Sequence, residues 1–119
     1  MFNLPENADL SFLQNKELEL ICFAAYQVNL HFAEGVSITI FGSFQHLVAG
    51  RNISANYKDF PIQSSELMRL VMNQIQEIKP KRDNTLSLRF SNGDQLLLKG
   101  DNGPYESYHI KCGQSLIIV

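Results

Sequence analysis

Two stretches of the chain decide its fold. The first is Val28-Asn29-Leu30-His31-Phe32-Ala33-Glu34-Gly35-Val36-Ser37-Ile38-Thr39-Ile40-Phe41-Gly42. The second is Thr85-Leu86-Ser87-Leu88-Arg89-Phe90-Ser91-Asn92-Gly93-Asp94-Gln95-Leu96-Leu97-Leu98-Lys99-Gly100. A shift of 58 positions lays Leu30 on Leu88, Phe32 on Phe90, Gly35 on Gly93 and Gly42 on Gly100. Val28, Ile38 and Ile40 then fall on Leu86, Leu96 and Leu98. Identities at these spacing-critical positions identify an internal duplication.

Apolar and polar residues alternate on both sides of a central turn in each copy, the pattern of a half-buried β-hairpin. A two-residue turn at Asn92-Gly93 would set Phe90 opposite Gln95 and scatter the leucines over both faces. A three-residue turn, Ser91-Asn92-Gly93 with Gly93 at positive φ, sets Leu88 opposite Leu96 and Leu86 opposite Leu98. Only the second register gathers one apolar face, since a slip of one residue turns every side chain over. The same rule in the first copy makes Ala33-Glu34-Gly35 the turn, with Leu30 opposite Ile38 and Val28 opposite Ile40. Leu30, Phe32, Ile38, Ile40, Leu86, Leu88, Phe90, Leu96 and Leu98 are therefore the expected core. Asn29, His31, Thr39, Ser87 and Arg89 are the expected outer face.

The repeat extends in both directions. Upstream, Leu18-x-x-Ile21 corresponds to Ile75-x-x-Ile78, each preceded by an asparagine, Asn15 or Asn73, suited to a helix end. Short helices are expected over Asp9 to Leu13 and Ser64 to Met72, where Ser64 or Ser65 serves as N-cap and Leu67, Leu70 and Val71 share a face. Residues 73–79 fit either a strand or the continuation of one helix from Ser65 to Lys79, and the repeat favours the strand. Downstream, Gln45-His46-Leu47-Val48-Ala49-Gly50 lies over Tyr108-His109-Ile110-Lys111-Cys112-Gly113, with Asp101 to Tyr105 as an inserted loop. Ser115 to Val119 reads as a last strand. The expected fold is α+β: mainly antiparallel β, in two helix-plus-meander units sharing one core. Unit one spans about 9–50, a polar connector 51–63, and unit two about 64–119.

Bulk properties narrow the function classes. The 119 residues suit one domain, and 45% hydrophobic content is ordinary for a globular chain. A net charge of −2 argues against a nucleic-acid binder, which normally presents a basic face. No apolar run approaches the ~20 residues that cross a bilayer, and Met1-Phe2-Asn3-Leu4-Pro5-Glu6 does not read as a secretory signal. Cys22 and Cys112 lie in apolar patterns and read as reduced thiols of a cytoplasmic protein, a disulfide being the alternative.

Few residues suggest chemistry. The repeat places His46 and His109 at equivalent positions, but two histidines without further ligands do not make a metal site, so no metal and no cofactor is expected. His109 alternates with Ser107 and Lys111 and should face solvent. Glu106 shares strand parity with Tyr108, Ile110 and Cys112, so a carboxylate opens an apolar face. Such a group could act as a general acid or base with a raised pKa. The structural alternative is that it accepts N–H bonds from the loop Gly100-Asp101-Asn102-Gly103-Pro104. Lys79-Pro80-Lys81-Arg82 reads as a solvated turn.

The second unit also resembles a group of small uncharacterised bacterial domains. The pattern that carries the resemblance is Leu86-x-Leu88-x-Phe90-x-x-Gly93-x-x-Leu96-x-Leu98, a loop, then Tyr105-Glu106-Ser107-Tyr108-x-Ile110. Tyr108 stands where the pattern has tryptophan. The resemblance implies no established activity, but similar domains are proposed to be immunity proteins paired with bacterial toxins. These readings converge on a non-catalytic binding module with a protein partner or self-association. Tyr105, Glu106, Tyr108 and His109 are its candidate contact residues. A small enzyme using Glu106 or a histidine, and a homo-oligomeric structural protein, are the alternatives.

Overall fold

A computed structural model of the chain describes residues 4, 8–51, 54–100 and 106–119. Ten strands form two five-stranded antiparallel sheets. They are β1 (Leu18–Phe23), β2 (Val28–Phe32), β3 (Val36–Ile40), β4 (Phe44–Leu47), β5 (Ser54–Tyr57), β6 (Ile75–Pro80), β7 (Leu86–Phe90), β8 (Gln95–Leu98), β9 (Tyr108–Cys112) and β10 (Ser115–Ile118). The strand orders are β1-β2-β3-β9-β10 and β5-β4-β8-β7-β6. Each sheet therefore joins three strands of one repeat to the last two strands of the other. The exchange occurs at β3–β9, where Ile40 faces Tyr108, and at β8–β4, where Leu98 faces Phe44.

The hairpin registers read from sequence are the observed ones. Leu30 pairs with Ile38 and Val28 with Ile40, as Leu88 does with Leu96 and Leu86 with Leu98. All nine expected core residues are buried, and one continuous cluster draws on both sheets. Phe32 and Phe90, the matched aromatics, stack across the core at 6.4 Å between ring centroids. Gly35 and Gly93 both have positive φ. The turns themselves differ, however. In the first copy Glu34 also enters the left-handed region and Val36 N–H bonds to the Ala33 carbonyl, giving a primed turn. In the second, Gly93 alone does so, beside a Phe90 N–H bond to the Asp94 carbonyl. Register is common to the copies and turn type is not, as expected when side-chain burial sets the register.

Reciprocal hydrogen bonds mark the pseudo-two-fold axis. Asn15 N–H donates to the Ile75 carbonyl and Met72 N–H to the Leu18 carbonyl. Leu18 N–H donates to Asn73 and Ile75 N–H to Lys16. Both edge strands carry a bulge at the same place, Leu18/Leu20 in β1 and Ile75/Glu77 in β6. The equivalent left-handed residues are Asn15 and Met72, at φ 64° and 73°, rather than Asn15 and Asn73.

The α+β expectation is overturned. The segments read as helices contain only single 3-10 turns, Ser11–Leu13 and Leu67–Leu70, so the described chain is all-β. Two leucines three apart, such as Leu67 and Leu70, satisfy a 3-10 turn as well as an α-helix. One turn cannot meet the cost of nucleating a longer helix when a strand starts five residues after Leu70. Residues 75–80 are strand. The expected connector, 51–63, contains β5, which pairs with β4 and completes unit one. Ser87 is buried rather than exposed, and its hydroxyl accepts from Gln95 Nε2 at 2.6 Å. Among the described residues no helix is long and apolar enough to cross a membrane.

Candidate functional site

Of the residues singled out from sequence, the structure brings Glu106 and His109 together and buries Tyr108 in the core. Ser107 and Tyr108 both donate N–H to the Val119 carbonyl, a bulge that breaks the alternation. Glu106 is thereby turned away from the apolar face, and its Oε2 lies 2.6 Å from His109 Nε2. His109 packs edge-on against Phe41, with centroids 4.8 Å apart. The loop 101–104, the expected donor to Glu106, and Tyr105 lie outside the described residues. Tyr108 is buried, and its hydroxyl donates to the Asn84 carbonyl at 2.7 Å while burial pushes its pKa up. It is a core pin rather than a contact residue.

His46 and His109 are not equivalent. The exchanged pairings set Phe44 against Leu98 as Tyr108 is set against Ile40, so His46 corresponds to Ile110 and His109 to Gln45. The loop after β4 is longer than that after β9, so aligning Gly50 with Gly113 misplaces the strand by one residue and turns its faces over. His46 accordingly points into the core.

There it meets a residue that sequence reasoning passed over. Asp94, fully buried, accepts from Arg69 Nε and Nη2 at 3.0 Å each, from Ala49 N–H at 2.9 Å, and lies 2.8 Å from His46 Nε2. Burial raises the Asp94 pKa. Arg69, the Ala49 N–H and His46 outweigh that effect and hold the carboxyl well below its ordinary range. Nε2 of His46 faces the carboxylate as donor, and Nδ1 is buried without a hydrogen-bond partner among the described residues. His46 and Asp94 are both shut off from solvent. Among the described residues no group of His, Cys, Asp and Glu could hold a metal ion.

An accessible feature with a shape lies beside β1 among the described residues. Two adjoining hollows of about 260 and 340 Å³ run along this edge strand, meeting at Phe23 and Ser65. Leu20, Ile21 and Phe23 form one wall; Met68 and Val71, on the turn before β6, form the other. Leu20, Phe23 and Met68 are 53%, 51% and 75% exposed, and Met72 beside them is 78% exposed. Large apolar side chains clustered on a surface mark an interaction site more often than chance exposure does.

The duplication supplies an internal control. Across the axis, Leu20 corresponds to Glu77, Cys22 to Lys79, Phe23 to Pro80 and Met72 to Asn15. The second edge thus carries charges and a proline, the usual protection of an open sheet edge. Its Glu77 carboxylate is held below the ordinary range by Lys79 and Arg89. At these corresponding positions the first edge carries neither a charge nor a proline, its own charges, Glu17 and Glu19, lying at the start of the strand. Met72 occupies a left-handed conformation that its counterpart fills with asparagine, the residue better suited to it. The fold does not require apolar residues here, because the same position in the other half does without them. This contrast was legible in the aligned repeats, as the positions where one copy is apolar and the other charged. Comparison with known proteins gives no matching family model, no similar curated protein and no similar solved structure.

Proposed function

We propose that the domain is a non-catalytic protein-binding module whose contact surface is the apolar groove beside β1. The observation that carries this reading is the asymmetry of the two edges. One fold, used twice in one chain, guards β6 with Glu77, Lys79 and Pro80 and leaves Leu20, Phe23, Met68 and Met72 open at β1. Exposed apolar residues at an edge are an aggregation liability, so apolar side chains at positions that the other copy fills with charges and proline point to a partner that covers them. Glu106 and His109 line neither hollow, so that acid–base pair is not brought to this groove. A protein partner is also what the resemblance of the second unit implies. Cys22 and Cys112 are free thiols, in keeping with a reducing, cytoplasmic setting.

Site-specific photo-crosslinking in the native cells tests the proposal. A photoreactive phenylalanine at Met68 should give a discrete adduct with one protein, identified by mass spectrometry. The same probe at Ser11, the corresponding exposed position across the axis, should not. Equal adducts from both positions, or none from either, would remove the basis for this surface.

A further inference from the structure

We infer that the occupant is an extended segment of another protein that pairs with the free edge of β1, an inference that rests on the binding-surface reading above. The decisive contact is a single hydrogen bond on the opposite edge. Gln14 Nε2 donates to the main-chain carbonyl of Gln76 at 2.7 Å. Gln76 is the bulged residue of β6, so this carbonyl faces the open side of the sheet, and the Gln14 amide caps it. In β1 the bulged residue is Glu19, and the residue corresponding to Gln14 is Val71. The two have the same backbone conformation: Gln14 has φ −61°, ψ 129° and Val71 φ −63°, ψ 137°. Valine carries no donor. The carbonyl that one copy caps with its own side chain is left, in the other, for an N–H from outside.

The rest of the edge agrees. Ala24 N–H bonds to the Gln27 carbonyl, which sets the alternation along β1. The main-chain groups of Ala24 and Cys22 turn toward β2, and those of Phe23 and Ile21 toward the open side. Strand addition takes its affinity from such main-chain groups and its specificity from pockets for alternate side chains. The two hollows either side of Phe23 and Ser65 are pockets of that kind, the better enclosed one smaller than the ~300 Å³ at which small-ligand sites begin.

Charge distinguishes a foreign segment from a second copy. Glu19 lines the groove and makes no ion pair among the described residues, while nearby Lys16 is engaged by Glu34 at 3.9 Å. A second β1 would bring Glu17 and Glu19 to an edge that already carries both. The segment that fits is apolar at alternate positions and carries a lysine or arginine beside Glu19.

The test uses the full chain and peptides selected on it from a phage-displayed random library. Selected sequences should alternate apolar residues and include a cation. Binding of the synthetic peptide should slow amide exchange at Ile21 and Phe23, and N-methylation should abolish binding at alternate peptide positions only. Val71→Gln, which restores the cap seen at Gln76, should weaken binding about tenfold or more with unchanged melting. Should that variant melt early, Leu20→Glu, copied from the guarded edge, serves in its place. A peptide that binds with no alternate-position N-methyl effect overturns strand pairing but leaves the groove as the binding surface. A concentration-dependent dimer that Leu20→Glu abolishes would make a second copy the occupant and overturn the inference. Failure to select any peptide, together with absent adducts from position 68, would end both readings.

Discussion

Replacing Asp94 by asparagine keeps the volume of the side chain and removes its charge. Four hydrogen bonds converge on the carboxylate, two from Arg69 and one each from Ala49 and His46. An asparagine offers one acceptor oxygen, so its amide nitrogen must face two of these donors. If the amide nitrogen lies toward His46, the ring can accept it only by moving its proton to Nδ1, which is buried with no partner. If it lies toward Ala49, a main-chain N–H loses its acceptor. Either way one buried donor is left unsatisfied, costing ~1–3 kcal/mol, and the charge-assisted character of the Arg69 bonds is lost. The Arg69 side chain is 37% exposed and recovers part of its loss in water. The expected destabilisation is about 3 kcal/mol, or roughly 10–15 °C in melting temperature for a domain of this size. Urea unfolding at pH 7, followed by circular dichroism with the slope checked for constancy, measures it. The sign of the pH dependence follows from the depressed pKa. The contribution is complete above the ordinary carboxyl value of ~4 and is lost as pH falls from there toward the folded value. The gap between wild type and variant should therefore narrow below pH ~4. A loss under ~1 kcal/mol at pH 7, or a gap that stays constant into acid, would refute the role given to this network.

Three further outcomes follow from the packing. Phe90→Ala should cost ~3–5 kcal/mol in chemical denaturation, because Phe90 is fully buried and stacked on Phe32. Met72→Asn should raise stability by ~0.5–1 kcal/mol by relieving a left-handed methionine whose side chain contributes little burial, and thermal melting reads the gain directly. Glu106→Gln should change stability by less than ~1 kcal/mol, since Glu106 pairs with His109 at a partly exposed site; double-mutant cycles with His109→Ala give the coupling.

The sequence disclosed the fold where side chains alternate with a strict period. Both hairpins, their registers and their buried faces could be read because one-residue slips would have exposed Leu30 or Leu88. What failed did so where that constraint is weak. Leu67 and Leu70 specify a buried turn without specifying which kind. The strands β4 and β9 lie beyond loops of different length, and matching their glycines shifted them by one residue and reversed His46. Asp94 follows a turn glycine and looks like a surface residue. Its burial depends on Arg69, Ala49 and His46, which reach it from remote parts of the chain. The groove residues were hidden by the opposite error. Leu20 and Phe23 pass as core residues until the place of β1 at the sheet edge shows that they are about half exposed.

The duplication also says what the Asp94 network is for. Across the axis, Asp94 corresponds to Val36, His46 to Ile110 and Arg69 to Phe12, and these three pack into the apolar core. One half of the molecule thus fills with hydrocarbon the space that the other fills with a buried ion group. Such exchanges are commonly neutral or stabilising when all members change together, although removing one member is costly. The triple variant His46→Ile, Arg69→Phe, Asp94→Val should accordingly fold with stability equal to or above wild type, in contrast to Asp94→Asn alone. The reason to keep the ion group then lies in what it holds. Arg69 stands between Met68 and Leu70, its guanidinium clamped to Asp94 and its carbonyl accepting from Asn73 and Asn92. It fixes the turn that forms the outer wall of the groove. In the other half, the equivalent turn packs Phe12 against the core and uses Gln14 to cap the Gln76 carbonyl. The triple variant should therefore keep its melting temperature while adducts from position 68 weaken or spread over several sites. A triple variant that is stable and crosslinks as wild type would show that the network serves the core alone.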